Sequence, residues 1–195
     1  MDITLTNASI RAAIEKLGLP TLPDGQLGLL GVRGAIPVDQ NRLRPVVNRH
    51  DYYDDAIVTF GVSLQAFRAS VDPGRTYTVA PLNKDGAANL QNGLWRYQLG
   101  YHKGHEALVQ AAAVKVTRDK DRDGKPEPGE PVEIGHFGIN IHAGGLNEKV
   151  GPHSAGCQVI HGGWEGAAWL KFMSIIKANR QQFYQYWLID AKHLY

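Results

Sequence analysis

The sequence predicts a mostly β protein, and three observations carry that expectation. From about Gly28 to Leu146, Gly and Pro punctuate short runs of β-branched and aromatic residues. One such run, residues 132–142, alternates with a period of two. Helical spacing appears in only two places, one near each end of the chain. With 195 residues, 43% apolar and 21% charged, the chain fits one domain of ordinary size that buries roughly 70% of its unfolded surface. That composition excludes disorder, collagen and coiled coil as descriptions of the whole chain.

Taken in order, residues 8–17 form the first predicted helix. Ile10, Ile14 and Leu17 share a face, Asn7 or Ser9 can cap the start, and Gly18 stands where a left-handed C-terminal residue belongs. Pro20, Pro23, Asp24 and Gly25 break the pattern, so residues 1–24 read as a helical appendage and linker, and 25–195 as the main domain. Strands are expected at Ile57–Val62, Thr76–Ala80, Leu94–Tyr101, Leu108–Thr117, Val132–His142 and Phe183–Asp190. Asp72-Pro73-Gly74 and Lys84-Asp85-Gly86 are turn signals, since Pro presets its own φ and Gly tolerates a positive one. Trp169, Phe172, Met173 and Ile176 follow helical spacing and predict an amphipathic, core-facing helix over 164–180. No repeat or low-complexity segment is visible.

Several functional classes fall away on composition. Lys+Arg 21 against Asp+Glu 19 leaves a net charge of +2 with no concentrated basic face, which argues against nucleic acid. No stretch approaches the roughly 20 apolar residues of a membrane span. The first residues lack the basic and apolar regions of a Sec signal, so synthesis in the cytoplasm is expected. The single cysteine, Cys157, excludes a disulfide framework. Four histidines, His136, His142, His153 and His161, surround that cysteine in sequence.

Alternation along 132–142 puts Phe137, Ile139 and Ile141 on one face and His136, Gly138, Asn140 and His142 on the other. A strand that buries one face and offers His, Asn and His on the other makes one wall of a polar site. Downstream, Ser154-Ala-Gly156-Cys157 supplies what thiol chemistry needs. An imidazole promotes the thiolate, Gly156 lets a substrate carbonyl approach the main chain, and the Gly156 and Cys157 N–H groups can face an oxyanion. Against this stands the reading of Cys157 as a small buried hydrophobe.

His142 followed fifteen residues later by Cys157, within Ser154-Ala155-Gly156-Cys157, resembles the His…Ser-x-Gly-Cys signature of the L,D-transpeptidase (YkuD-like) catalytic domain. Phe137-Gly-Ile-Asn-Ile-His142 is similar to the strand that leads into that family's histidine. The resemblance covers about 25 residues and implies a β-sandwich or barrel. It also implies cysteine-dependent acyl transfer on peptidoglycan stem peptides, as L,D-carboxypeptidase, D-amino acid exchange or transpeptidation. Carried over, His142 is the base and Cys157 the nucleophile, which attacks the third stem residue's carbonyl and expels D-Ala. Gly156 and Cys157 hold the oxyanion, and Ser154 shapes the turn. His136, Asn140, His153 and Gln158 are the candidate substrate contacts, Gln158 standing in for a missing arginine. Two positions depart from the family pattern: Ala143 replaces the usual Gly, and Val159 the usual Arg. These point to an outlying branch, such as an effector delivered by a secretion apparatus or a phage-particle wall enzyme acting in the periplasm or cell wall, with residues 1–24 as a docking element.

Two metal readings stand beside this one, and the reaction itself requires no cofactor. Asp119, Asp121, Asp123, Glu127 and Glu130 occupy positions 1, 3, 5, 9 and 12 of a calcium loop with Gly124 at 6. The preceding strand, and Pro126, Pro128 and Pro131, exclude an EF-hand, so any calcium there is a structural clip. His136, His142, His153, Cys157 and His161 could instead hold zinc, making a zinc hydrolase, though zinc gives no reason for Ser-x-Gly before the cysteine. The third alternative is a non-catalytic, calcium-clipped β binding module.

Overall fold

A computed structural model describes residues 1–195. Its strands are β1 (Ile3–Thr4), β2 (Leu27–Arg33), β3 (Ala35–Pro37), β4 (Arg42–Pro45), β5 (Asp55–Gly61), β6 (Gln65–Ser70), β7 (Ala87–Leu90), β8 (Gly93–His102), β9 (His105–Gln110), β10 (Val114–Asp119), β11 (Val132–Gly135), β12 (Ile141–Ala143), β13 (Gln158–Ile160) and β14 (Tyr184–Asp190). The helices are α1 (Asn7–Lys16), α2 (Arg75–Val79) and α3 (Ala167–Asn179). The protein is therefore mostly β, as the sequence predicts. Eight strands close a barrel in the order β12-β13-β6-β5-β2-β14-β8-β9. Two three-stranded sheets, β1-β4-β3 and β11-β10-β7, flank it.

Three barrel strands are apolar on both faces because both faces are covered. Leu27 and Leu29 of β2, Ile57 of β5, and Tyr184, Tyr186 and Leu188 of β14 join the larger core, with Trp169, Phe172 and Ile176 of α3. The alternate residues Leu30, Val32, Ala56, Val58, Phe60, Trp187 and Ile189 form a second core. That second core is completed by Ile3, Leu5, Ile10, Ile14 and Leu22. The segment 1–24 thus lies against the barrel wall, and β1 pairs with β4. Thr6, rather than Asn7 or Ser9, caps α1: its hydroxyl accepts the Ser9 N–H, and the Ser9 hydroxyl accepts the Thr6 N–H. Asn7 instead grips Gly61 on β5 through both its amide nitrogen and its oxygen. Gly18 follows with φ +69°, the left-handed residue expected there.

Three expected strands differ in the structure. Thr76–Ala80 forms the short helix α2, because the Tyr77 and Thr78 amides turn back onto the Gly74 carbonyl at 3.1 and 3.2 Å. Leu108–Thr117 divides: β9 stays in the barrel, while β10 leaves it for the side sheet. Val132–His142 divides in the same way into β11 and β12, with residues 136–140 in neither. One side chain explains that gap. Gln110 Oε1 accepts the Phe137 and Ile139 amides, each at 3.1 Å, and its Nε2 donates to the Gly135 and Ala112 carbonyls. A glutamine thus substitutes for a neighbouring strand and satisfies backbone groups that would otherwise be buried unpaired. No helix is long and apolar enough to cross a membrane.

Candidate active site

Parallel pairing of β12 with β13 builds the site. Ile141 lies opposite Gln158, His142 opposite Val159 and Ala143 opposite Ile160. Cys157 stands just ahead of β13 and Asn140 just ahead of β12, so the ladder continues one step outward. There the Asn140 carbonyl accepts the Gln158 amide at 2.8 Å, and the Asn140 N–H donates to Cys157 Sγ at 3.4 Å. The sheet register therefore brings Asn140 against Cys157 and sets His142 opposite Val159, two positions further along.

The turn before the cysteine is tied by one hydroxyl. Ser154 Oγ donates to the Cys157 carbonyl at 2.7 Å and accepts the Gly156 N–H at 3.1 Å. Ser154 thus has the turn-shaping role expected of it. Gly156 has φ +137°, and a Cβ there would lie 2.6 Å from the Ala88 carbonyl oxygen, so only glycine fits. Because Ser154 takes the Gly156 N–H, that amide is not free for an oxyanion, contrary to the sequence reading. The Cys157 N–H has no partner within the chain and remains the available donor.

His142 is 4% exposed. Its Nδ1 lies 2.8 Å from the Ala143 carbonyl oxygen. A carbonyl can only accept, so Nδ1 carries the proton and Nε2 keeps its lone pair. The ring stacks on His102 with centroids 4.2 Å apart, and Trp164 lies roughly parallel at 5.7 Å. Asn140 also sets the state of His102. Its side-chain oxygen accepts the Gln110 N–H at 3.0 Å, which turns its NH2 toward His102 Nδ1, also at 3.0 Å. His102 Nδ1 is therefore an acceptor, and its proton sits on Nε2.

Burial controls the charge of both His142 and Cys157. It pushes the His142 pKa down to about 3, assisted by the neighbouring His102, Lys103 and His153 and opposed by the Ala143 hydrogen bond. Burial pushes the Cys157 thiol up, and the Asn140 N–H only partly offsets this. Cys157 packs with Tyr53, Val150 and Val159 in a small apolar cluster, and its S–H donates to the Gly138 carbonyl at 3.4 Å. At neutral pH Cys157 is thus a thiol and His142 a neutral imidazole.

The remaining sequence candidates disperse. Gln158 is fully buried, with Nε2 on the Gly156 carbonyl at 3.1 Å and Oε1 accepting the Tyr186 hydroxyl at 2.9 Å. It braces the barrel interior and does not face substrate. His136 is exposed and lies outside both strands, so it does not share a strand face with His142. His153 ends a 3-10 turn, Gly151–His153, with its ring over Gly145. His161 Nε2 lies 3.2 Å from the Leu146 carbonyl oxygen. The zinc set His136, His142, His153, Cys157 and His161 does not converge. The one group of three or more metal-ligating side chains that does is Asp119, Asp121 and Asp123. Asp119 is fully buried; that burial, with Glu130, Asp123 and Asp121 nearby, raises its pKa to about 6.

Three contributors escaped the sequence reading. His102 and Trp164 lie parallel to the His142 ring, and no local pattern marks either. Arg118 lines a pocket of about 260 Å³ beside the cysteine turn, with Tyr77, Ala88, Phe137, Ile139 and Ala155. Its guanidinium pairs with Glu133 at 2.7 Å and lies 4.8 Å from the Phe137 ring centroid. Fold and site together define a closed β-barrel protein in which a buried histidine lies on one of two parallel-paired strands and a buried cysteine leads into the other. No protein-family model, curated protein or solved structure matches this chain.

Proposed function

We propose that the barrel is an L,D-transpeptidase-type catalytic domain that acts on peptidoglycan stem peptides through a Cys157 acyl-enzyme. The observation that carries this reading is the tautomer of His142. With Nδ1–H committed to the Ala143 carbonyl, Nε2 is left as a base on the strand paired with the one the cysteine precedes. A neutral imidazole paired with a buried thiol suits general-base catalysis, in which proton transfer accompanies attack.

In this scheme His142 Nε2 takes the Sγ proton as sulfur bonds to the carbonyl carbon of the third stem residue. The Cys157 N–H donates to the oxyanion. As the tetrahedral intermediate collapses, the C–N bond to D-Ala breaks, and His142 returns the proton to the leaving amine. Water, or an acceptor amine, then loses a proton to His142 and attacks the thioester, and Sγ leaves with that proton. Water gives carboxypeptidase activity; an amine gives exchange or cross-linking. The pocket lined by Arg118 lies beside the turn and takes a side chain of the peptide. Val159, buried against Tyr53 and Val150, cannot perform the task of the arginine the family usually has there.

Mass spectrometry of tetrapeptide muropeptides incubated with the protein, with and without D-amino acids, tests the proposal. Release of D-Ala or its exchange is expected, falling at least about a thousandfold in Cys157→Ala and His142→Ala. Undiminished turnover in Cys157→Ala would overturn it. Folded protein without turnover under any of these conditions favours a second reading, a non-catalytic binding module. The low exposure of Cys157, 8%, and its hydrogen bond to Gly138 rather than His142 are the observations on that side.

A further inference from the structure

A buried carboxylate is costly to keep ionised unless a cation or a set of donors answers it. Asp119, the last residue of β10, is fully buried. Its Oδ2 accepts the Gly124 N–H at 3.0 Å, while its Oδ1 is shielded from solvent and has no partner. No side-chain cation reaches it, since Arg118 is taken by Glu133 and Lys125 turns to Asp123 at 3.9 Å. Asp119, Asp121 and Asp123 each offer an oxygen, and these oxygens lie within 4.8 Å of one another. Nearby, His50 packs its ring against Gly124, and both its ring nitrogens are likewise shielded and unpartnered.

We infer that this loop binds one Ca²⁺, with Asp119, Asp121 and Asp123 as its carboxylate ligands. Three hard oxygens at alternate positions suit calcium, which accepts irregular shells completed by water and carbonyl oxygens; magnesium demands a near-ideal octahedron, and softer metals prefer nitrogen or sulfur. Glu130 takes another part than the sequence suggests. Its two oxygens accept the Lys120 and Glu127 amides, each at 2.9 Å, so it laces the loop rather than closing the shell, and Glu127 lies exposed. The bound ion fastens the end of β10 to the loop that leads on to β11. Those two strands carry Arg118 and Glu133, the ion pair beside the substrate pocket. The inference does not depend on Cys157 being catalytic.

Isothermal titration of the chelator-stripped full chain with CaCl2 tests it directly. One site is expected, with a Kd on the order of 0.1–1 mM, the range of weak extracellular sites. The melting temperature should rise with Ca²⁺. Both effects should weaken at least tenfold in Asp121→Asn combined with Asp123→Asn, two exposed positions whose change leaves the core intact. Asp119→Asn should abolish binding. Absence of heat and of a melting shift up to about 10 mM Ca²⁺ would overturn the site, as would a double variant that binds like the parent. Equally tight Mg²⁺ binding would overturn the assignment to calcium.

Discussion

At the scale of single residues, the site is governed by what burial does to a proton. His142 titrates near 6.5 when unfolded but only near 3 in the folded protein. Between those values the unfolded chain binds a proton that the folded chain refuses. The stability this contributes is complete above about pH 6.5 and is lost as pH falls toward 3, at full extent about 5 kcal/mol. His142→Phe keeps a flat ring beside His102 and removes the titration. Urea melts at pH 7 and pH 4 should therefore show a smaller acid loss in the variant than in the parent; an identical loss would mean that the imidazole is not buried neutral. The residue types of the candidate site were legible in sequence, since the order of His142, Ser154, Gly156 and Cys157 resembles a known thiol-enzyme signature. Their division of labour was not. That the Gly156 amide is spent on Ser154, and that Gln158 turns inward to Tyr186, are facts of hydrogen bonding between groups brought together by folding.

At the scale of elements, local signals succeeded where neighbours agreed with them. Helix α1 ends at its glycine, and the apolar stripe of α3 faces the core as its spacing predicts. The expected strand over 132–142 failed because Gln110, more than twenty residues upstream, takes its backbone hydrogen bonds. Strand β2 escaped notice because its glycines look like turn signals. In the barrel they are spaces instead, and a Cβ on Gly31 would lie 2.0 Å from the Tyr186 hydroxyl. The N-terminal segment makes the sharpest test at this scale. Ile14 is fully buried between α1 and the barrel, so Ile14→Ala should cost about 2–5 kcal/mol, read as a lower urea midpoint with an unchanged slope. A loss below about 0.5 kcal/mol, usual for exposed positions, would mean that residues 1–24 hang free.

At the scale of the whole molecule, β2, β5 and β14 each bury one face in the barrel interior and the other under the N-terminal layer. Neither core can lose its contacts without unroofing strands that the other needs. Urea unfolding followed by far-UV circular dichroism and by tryptophan fluorescence should therefore give superimposable transitions; an early phase confined to one probe would show the layer melting alone. By itself the sequence determined a mostly β chain, two amphipathic helices, a histidine and a cysteine set fifteen residues apart in a glycine-rich segment, and an acidic loop spaced for calcium, because each depends on residue type and short-range spacing. Tertiary structure alone decided the closure of the barrel, the strand breaks at Gln110, the stacking of His102 on His142, the neutral state of His142 and Cys157 and the orphaned oxygen of Asp119. Each of those arises from burial or from contact between segments far apart in the chain, and such proximity leaves no mark on the local order of residues.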